Sequence, residues 1–324
     1  MVAIIVLNWN GWQHTLPCLD SLLPWVERGM AHLIVCDNAS SDDSWARLHA
    51  WCQHSEPQIT LVQTGHNLGF AGGMNVGLRL ALARGGYEFV WLLNNDTLAE
   101  ANSLDALLRC AQARPQVGLW GSTVAGMDYR VQTAGGCRYN PWLTIFRNLR
   151  QGEDARTLLH EGGNAAEDGN AATDGRNVRL DYVYGAALFA PMTSFQRVGL
   201  LAEDYFLFYE ELDLCRRLRR AGLELAWCPA SLVLHHGSAS VNGDTATPPQ
   251  HSHSQRSSRL RANYYENLST LKFTARFHPR LFPIAYVLRF TLKTLALLVT
   301  GRMYLWPALW HAYRDFARIY KSTR

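Results

Sequence analysis

The sequence contains no C-x-x-C pair. Its seven cysteines, Cys18, Cys36, Cys52, Cys110, Cys137, Cys215 and Cys228, are scattered and odd in number, so no disulfide framework is predicted and a reduced, cytoplasmic setting is the simplest reading. The glycines of the dinucleotide fingerprint are also missing: Gly69, Gly72 and Gly73 have the wrong spacing, and no Walker Gly-Lys-Ser/Thr follows them. NAD and ATP lose ground as ligands. The N-terminus enters an apolar run without a basic region or a small-residue cleavage site, so nothing predicts export. Charge is sparse at 18% and hydrophobic residues reach 48% over 324 residues, enough for one large α/β domain plus an appendage.

Apolar runs that stop at polar turns organise the first half. Val2 to Leu7 ends at Asn8-Trp9-Asn10-Gly11 before a helix carrying Leu16, Leu19, Leu22 and Leu23. His32 to Cys36 ends at Asp37-Asn38-Ala39-Ser40-Ser41-Asp42 before a helix from Ser44 to His54. Ile59 to Gln63 leads through Asn67-Leu68-Gly69-Phe70-Ala71-Gly72-Gly73-Met74-Asn75 into a helix ending near Gly85-Gly86, and Glu88 to Leu93 ends at Asn94-Asn95-Asp96-Thr97. Such repeated strand-helix units predict a doubly wound, mostly parallel sheet whose strand ends gather on the edge where open α/β sheets bind ligands. A hard oxygen donor such as Asp96 is well placed there to hold Mg²⁺ or Mn²⁺. The other reading of the stretch is turn chemistry, with Thr97 and Glu100 as a capping box for the following helix. The glycines can bring backbone N–H groups to a phosphate or ribose, or can serve tight packing.

After a helix near Ser103 to Arg114 and a strand from Val117 to Val124, regularity fades, and residues 151 to 177 read as a mobile surface insertion. Order returns over Val178 to Phe189, where Gly185-Ala186-Ala187 would let something pack closely against the backbone. In the helix that follows Asp204, a turn of 100° per residue puts Glu211, Leu214, Cys215 and Leu218 on one face and Asp213, Arg216, Arg217 and Arg220 on the other. An inward carboxylate at Glu211 is costly unless it borders a polar cavity or has a partner. The alternative is helix-dipole stabilisation, roughly 0.3 to 1 kcal/mol. Asp213 with Arg217 is a solvated or structural pair. Leu225 to Pro229 and Leu232 to Leu234 read as two short strands, the second delivering His235-His236-Gly237-Ser238. His235 could be a third ligand beside a carboxylate and a diphosphate, or a structural histidine. Val241 to Ser258 reads as a flexible segment, as a lid could be.

In this order the motifs at Asn8 to Gly11, Asp37 to Asp42, Asn67 to Asn75, Leu92 to Thr97, Tyr209 to Arg217 and Val233 to Ser240 resemble the family 2 inverting glycosyltransferases, in their rhamnosyltransferase-like branch. The resemblance covers about residues 1 to 240. It implies a GT-A fold, an α/β, mostly parallel nucleotide-sugar-binding sheet flanked by helices, with residues 241 to 324 as a C-terminal helical extension. It implies a dTDP- or UDP-sugar donor and a divalent metal, Mg²⁺ or Mn²⁺. Asp37 would contact the donor's pyrimidine, with Asn8, Asn10, Asn67, Gly72, Gly73 and Asn95 also on the donor side. Asp96 would be the final aspartate of a D-x-D-like metal motif in which Asn94 replaces the first Asp. Glu211 falls at the catalytic base, with Glu210-Glu211 in place of the family's Glu-Asp pair and with Glu210 and Asp213 supporting. His235 becomes a metal or diphosphate ligand, and Met74 stands where the branch often has Asn. The implied reaction is a single inverting displacement, best read as L-rhamnose transfer from dTDP-rhamnose to a glycan or polyprenyl-diphosphate-linked acceptor in bacterial surface polysaccharide synthesis. A catalytically silent sugar-nucleotide-binding or membrane-scaffold protein is the alternative. A nucleotidyltransferase would need an N-terminal Gly-rich, Arg/Lys-bearing loop that is missing.

The net charge of +4 is unevenly spread. From Arg256 to Arg324 there are 13 Lys+Arg against 2 Asp+Glu, a balance of +11, which leaves 18 against 25, or −7, before it. Helices are predicted from Asn263, over Leu281 to Val299 and over Met303 to Tyr320. Arg289 and Lys293 interrupt the apolar run short of the ~20 residues of a membrane span. The expectation is an interfacial helical pair, with Trp306, Trp310 and Tyr313 near headgroups, peripheral on the inner face of the cytoplasmic membrane. The alternatives are packing on the catalytic domain or a homodimer. No nucleic-acid partner is expected, because the basic residues alternate with apolar helices.

Overall fold

The computed structural model describes residues 1–53, 58–159, 179–237 and 253–322. They fall into two compact units: Met1–Arg138, Arg147–Glu203 and Glu211–Gly237 make the first, and Tyr139–Phe146, Asp204–Glu210 and Ser238–Arg324 the second.

In the first unit, strands β1 (Val2–Asn8), β2 (Ala31–Asp37), β3 (Ile59–Gln63) and β4 (Phe89–Asn94) alternate with helices α1 (Trp12–Glu27), α2 (Ser44–Gln53) and α3 (Gly69–Arg84). These strands pair in parallel in the order β3-β2-β1-β4. Continuous apolar runs suit them because both faces are covered. Ala3, Ile5 and Leu7 point to the side of Met74 and Leu78 on α3, while Val2, Ile4 and Val6 point to Leu19 and Leu22 on α1. The glycines of α3 allow that approach. A Cβ on Gly73 would lie 2.5 Å from Leu7 Cδ1, and one on Gly77 2.5 Å from Ile5 Cγ2.

The sheet continues through β5 (Thr97–Ala99), α4 (Ser103–Ala113), β6 (Val117–Ala125), β7 (Val131–Ala134), β11 (Ala187–Pro191) and β12 (Glu224–His235). Between β7 and β11 lie β8 (Gly136–Asn140), β9 (Ile145–Asn148) and β10 (Tyr182–Val183), in a separate three-stranded sheet ordered β10-β8-β9. The main sheet is mixed, with nine strands and the order β4-β11-β6-β12-β5 beyond β4 and with β7 on β6. Strand β11 runs antiparallel to both β4 and β6, so β6 and β12 recover the direction of β1 to β4.

Helices α5 (Met192–Val198) and α6 (Glu210–Arg220) follow β11. From Leu212 onward α6 is buried on more than its apolar face. Asp213 is almost fully buried and accepts from Arg217 Nε at 2.6 Å. The Arg217 guanidinium also donates to the carbonyls of Val198, Gly199 and Leu200, which ties α6 to the end of α5. Of the two roles open to this pair in the sequence, the structural one is realised.

In the second unit, α7 (His253–Phe277), α8 (Phe282–Val299) and α9 (Trp306–Ser322), the last preceded by a 3-10 turn at Met303–Leu305, bury Leu271, Leu297, Leu309, Tyr313 and Phe316 together. The segment Asp204–Glu210 is held on α7 by Ser269 Oγ donating to the Leu207 carbonyl at 2.9 Å and by the Arg276–Asp204 ion pair at 2.7 Å. Glu266 on α7 receives Arg289 and Lys293 of α8, each at 2.9 Å. Burial pushes the Glu266 carboxyl up, but the Lys293 and Arg289 charges outweigh it and hold it below the usual range.

Several expectations need correction. Thr97 and Glu100 do not cap a helix: Thr97 opens β5, its Oγ1 donates to the Asn94 carbonyl at 2.7 Å, and α4 begins only at Ser103. The two short strands predicted before His235 are one strand, β12, whose register shifts between Cys228 and Leu232, where Pro229 interrupts the ladder. Of the predicted insertion, residues 151–159 are described, with Ala155 and Leu158 buried in the main core, and residues 160–177 lie outside the described residues. Likewise residues 241–252 of the predicted flexible segment lie outside them, while α7 starts at His253, ten residues earlier than the expected helix at Asn263. Helix α8 is 18 residues long and, by length and composition, apolar enough to cross a membrane, because Arg289 and Lys293 turn to its inner face instead of breaking it.

Arg217→Ala removes the guanidinium that meets the buried Asp213 carboxylate and three backbone carbonyls, and should lower unfolding stability by roughly 3 kcal/mol, read as a lower urea midpoint at unchanged slope. A change under about 0.5 kcal/mol would show that the clamp contributes only as an ordinary surface pair.

Candidate active site

Asp96 and His235 are brought together by strand pairing. β5 runs antiparallel to the end of β12 with Thr97 opposite His235. The His236 N–H donates to the Asp96 carbonyl at 3.0 Å, and His235 Nε2 lies 3.2 Å from Asp96 Oδ1. Both side chains are largely buried. Burial alone would raise the Asp96 carboxyl. The hydrogen bond and charge of His235, with smaller help from its own backbone and from His14, pull it below the usual carboxylate range instead.

Gln132, on β7, fixes how His235 presents itself. Its Nε2 donates to the His235 carbonyl at 2.9 Å, which leaves Oε1 as the acceptor facing His235 Nδ1, also at 2.9 Å. Nδ1 therefore carries the proton in a neutral imidazole, and the Nε2 lone pair is aimed at the Asp96 carboxylate. Two acceptors facing each other at 3.2 Å call for a proton or a cation between them. A carboxylate oxygen and an oriented imidazole nitrogen fit a divalent cation of the Mn²⁺ type, and the buried Asn94 Oδ1, which accepts no hydrogen bond among the described residues, is a further bare oxygen at the same strand end. No group of three or more His, Cys, Asp or Glu side chains gathers for a metal among the described residues. The protein thus offers a partial ligand set, the kind a metal uses when substrate phosphate and water complete it.

Glu211 is partly buried in the first turn of α6, with its carboxylate against Gly185. A Cβ at Gly185 would fall 1.8 Å from Glu211 Oε1, so a residue without a side chain is required there. Burial pushes the Glu211 carboxyl up to about 7, against a smaller downward pull from its own backbone N–H. The same charge acts on Tyr182, Tyr184, Cys137 and Cys215. Burial is the main reason the Tyr184 phenol is pushed up to about 12, with smaller contributions from Cys137, Glu211 and Asp96. Its ring also meets His235 edge-on, 6.1 Å between centroids. Directly before this helix, Phe208 and Tyr209 have φ of 68° and 75°, a left-handed conformation that bulky residues rarely adopt and that tends to mark functional sites.

The residues expected on the donor side form a connected polar edge. Asp37 is fully buried: Oδ1 accepts from Asn8 Nδ2 at 2.8 Å and Ser40 Oγ at 2.6 Å, and Oδ2 from Ser40 N at 3.2 Å and Gln63 Nε2 at 3.1 Å. Asn10, at φ 51°, crosslinks to Ser41 through both amide atoms. Asn67 Oδ1 accepts from Asn38 and from the Gly69 N–H. Asn95 turns toward α1, donating to Thr15 Oγ1 at 2.9 Å. At Gly72 and Gly73 the missing Cβ positions are filled by Leu68 and Leu7, which is the packing use of these glycines. Glu210 is buried at the start of α6, and Asp213 faces Arg217 rather than Glu211.

Sequence reasoning missed Gln132, Tyr182, Tyr184 and His14. Of these only Gln132 left a trace, as a polar residue inside the short apolar run Val131–Ala134. His14, on α1, lies against His236 with ring centroids 5.2 Å apart.

Because the Glu211 carboxyl sits near 7 in the folded chain and near 4.5 when unfolded, the folded state holds an extra proton between those values. Its contribution is therefore favourable at low pH and lost as pH rises through about 7. Glu211→Gln should stabilise the protein above neutrality, on the order of 2 kcal/mol, and flatten the pH dependence of the melting temperature. Gly185→Ala, which displaces the carboxylate toward water, should likewise flatten the pH dependence by returning Glu211 toward an ordinary acid. Parallel melting curves for wild type and Glu211→Gln from pH 5 to 9 would contradict this placement.

The glycosyl transferase family 2 model matches residues 3–165 of the chain. The low-salt glycan biosynthesis hexosyltransferase Agl10 of Haloferax volcanii is 26% identical over 215 residues, 64% of this chain and 60% of its own length. The N-acetylglucosaminyl-diphospho-decaprenol L-rhamnosyltransferase of Mycobacterium tuberculosis is 24% identical over 272 residues, 76% of this chain and 80% of its own. Among solved structures, GalNAc-T7 with UDP, GalNAc and Mn²⁺ superposes with a TM-score of 0.59 at 12% identity, over 84% of this chain and 50% of that one. The mixed sheet flanked by helices is thus a GT-A fold. With half of its residues matched by the family model and its strand-end motifs in order, the chain belongs to glycosyl transferase family 2.

Proposed function

We propose that the chain is an inverting glycosyltransferase that moves a sugar from a nucleotide-sugar donor to a hydroxyl of a glycan or polyprenyl-diphosphate-linked acceptor. The observation that carries this reading is Glu211: a carboxylate lodged against Gly185 and poised near neutrality by burial, in the same unit as Asp96 and His235. A base is most effective when its pKa lies near the working pH. The acceptor oxygen attacks the anomeric carbon while Glu211 takes its proton. The bond from that carbon to the diphosphate oxygen breaks, the nucleoside diphosphate leaves, and one displacement inverts the centre. No second nucleophile is needed.

Asp96 Oδ1 and His235 Nε2 would hold the divalent cation, Mg²⁺ or Mn²⁺, whose chemistry is to neutralise the charge that develops on the leaving diphosphate. Gln132 keeps the Nε2 lone pair aimed at that position, and the Tyr184 ring packs edge-on against His235. Asn8, Asn10, Asp37, Asn67 and Asn95 build the donor edge, with Asp37 setting the loop that faces the base. We favour L-rhamnose from dTDP-rhamnose as donor, in synthesis of a surface polysaccharide at the cytoplasmic face of the membrane. The similarity to a rhamnosyltransferase whose named acceptor is a lipid diphosphate supports this.

The test is a screen of dTDP-, UDP- and GDP-sugars for binding and turnover with and without Mn²⁺, on wild type and two variants. Glu211→Gln should keep donor affinity within about twofold and lose about 10²- to 10⁴-fold in kcat. Asp96→Ala should lose the Mn²⁺-dependent part of donor binding. In the wild type, kcat/KM should fall about tenfold per pH unit below about 7, where Glu211 becomes protonated. Full transfer by Glu211→Gln would remove it as the base, and a wild type that binds none of the three nucleotide classes would overturn the glycosyltransferase reading.

A further inference from the structure

Helix α8 carries an apolar stripe that nothing in the described residues covers. Ile284 is 56% exposed, Val287 62%, Leu295 55%, Leu298 63% and Val299 78%. At 100° per residue these positions fall on one side of the helix and so lie along one face. The opposite face is committed: Ala285 and Leu297 are buried, Arg289 donates to Asn267 Oδ1 at 3.1 Å and to Thr144 Oγ1 at 2.7 Å, and both Arg289 and Lys293 engage Glu266. Thr144 belongs to a hairpin tip of the same unit whose Trp142 and Ile145 are also more than half exposed.

We propose that this stripe seats the second unit on an anionic lipid bilayer, with α8 lying in the membrane plane and not crossing it. The charge of the segment selects the partner. Residues 256 to 324 carry +11, which favours an anionic surface, and an apolar stripe on a cationic body suits acyl chains beneath acidic headgroups. A second copy would bring the same +11 to its own stripe, so self-association through this face opposes like charges. Crossing is disfavoured from within the unit. The inner face of α8 is fastened by Arg289 and Lys293 to Glu266 on α7, a helix that also carries Arg256, Arg259, Arg261 and Arg276, so α8 cannot enter the hydrocarbon without this ionic layer. Lying flat, 18 residues present a strip about 27 Å long at 1.5 Å per residue, with one row of side chains at the level of the upper acyl chains. Trp310, 48% exposed and stacked on Trp306, and the exposed Met303 add amphipathic and apolar surface of the kind found at membrane interfaces.

The proposal deepens the lipid-linked acceptor reading, and its test is independent of it because no donor or acceptor is used. Full-length protein is sedimented with vesicles of phosphatidylcholine alone or with 40% phosphatidylglycerol, at low and high salt. Wild type should bind the anionic vesicles at least tenfold more strongly than the neutral ones and lose most of that preference in high salt. The triple variant Val287→Asp, Leu295→Asp, Leu298→Asp should lose at least tenfold in vesicle affinity while its circular dichroism, melting temperature and nucleotide-sugar binding stay as in wild type. A Leu295→Trp probe should be quenched more by lipids brominated near the headgroup than by lipids brominated at the chain ends. Equal sedimentation of wild type on both vesicle types, or of the triple variant with wild type, overturns the proposal. So does stronger quenching from the chain ends, which would mean a crossing helix, or a lipid-free dimer abolished by the triple variant, which would assign the stripe to a second copy. Nucleotide-sugar binding that survives any of these outcomes leaves the catalytic reading standing.

Discussion

The short antiparallel pairing of β5 with the end of β12 is the constraint on which the site depends. The chain leaves β4 at Asn94, makes a two-residue turn through Asn95 and Asp96, and is at once captured by β12 with Thr97 opposite His235. A three-residue strand is a weak element alone. Here it is reinforced on both sides: Thr97 Oγ1 returns to the Asn94 carbonyl, and the Glu100 N–H donates to the Leu232 carbonyl beyond the last paired residues. The consequence is chemical. Residues distant in sequence place a carboxylate oxygen and an imidazole nitrogen 3.2 Å apart, and one amide, Gln132, chooses the imidazole tautomer by spending its donor on the His235 carbonyl.

A second constraint is the reversed strand β11. Inserted between β4 and β6, it starts where β4 ends, with Ala186 accepting from the Asn94 N–H. That places Tyr184 and Gly185 at the ligand-binding edge of the sheet, although their strand points away from it. Gly185 gives the space, Glu211 fills it, and the resulting loss of water raises the carboxyl toward neutrality. The cost of the buried carboxylate is offset by packing elsewhere on α6, where the Asp213–Arg217 clamp and Leu214, Cys215 and Leu218 fix the helix. Loosening that helix would let water in and return Glu211 to an ordinary acid.

Much of this was legible in the sequence. The apolar runs of β1 to β4 name buried strands because parallel strands bury both faces, and their polar ends mark the edge that carries the site. The 3.6-residue period placed Glu211 inward, and Gly185 was readable as a point of close approach. What stayed hidden depended on long-range pairing. Thr97 and Glu100 form a sound capping signal, yet a strand from the far end of the unit competes for the same backbone and wins. Pro229 suggested two strands where the ladder steps over an irregularity and continues. Gln132 and Tyr184 carry no motif at all, since their roles arise only when β7 and β11 fold back beside β12 and α6. The inner face of α8 was unreadable for a related reason: Arg289 and Lys293 look like breaks in an apolar run until Glu266, on another helix, is seen to receive them.

That last point bears on how one chain can combine acidic and basic halves. The balance of −7 before residue 256 would attract cations and repel phosphate, which suits the proposed metal but not the anionic donor. An anionic donor approaching such a surface must have its charge met locally, as the proposed divalent cation would do, because the neighbouring His236 imidazole is held below its usual range by burial and supplies no fixed charge. The segment from Arg256 onward has the reverse problem. Its +11 is met from within only in part: Glu266 receives Arg289 and Lys293, Asp204 receives Arg276, and Asp315 lies by Arg314 and Arg318. The remaining positive balance is what the proposed acidic bilayer surface would complement. Separation of charge by sequence would thus let the proposed carboxylate-rich site and the proposed cationic docking face coexist without neutralising each other.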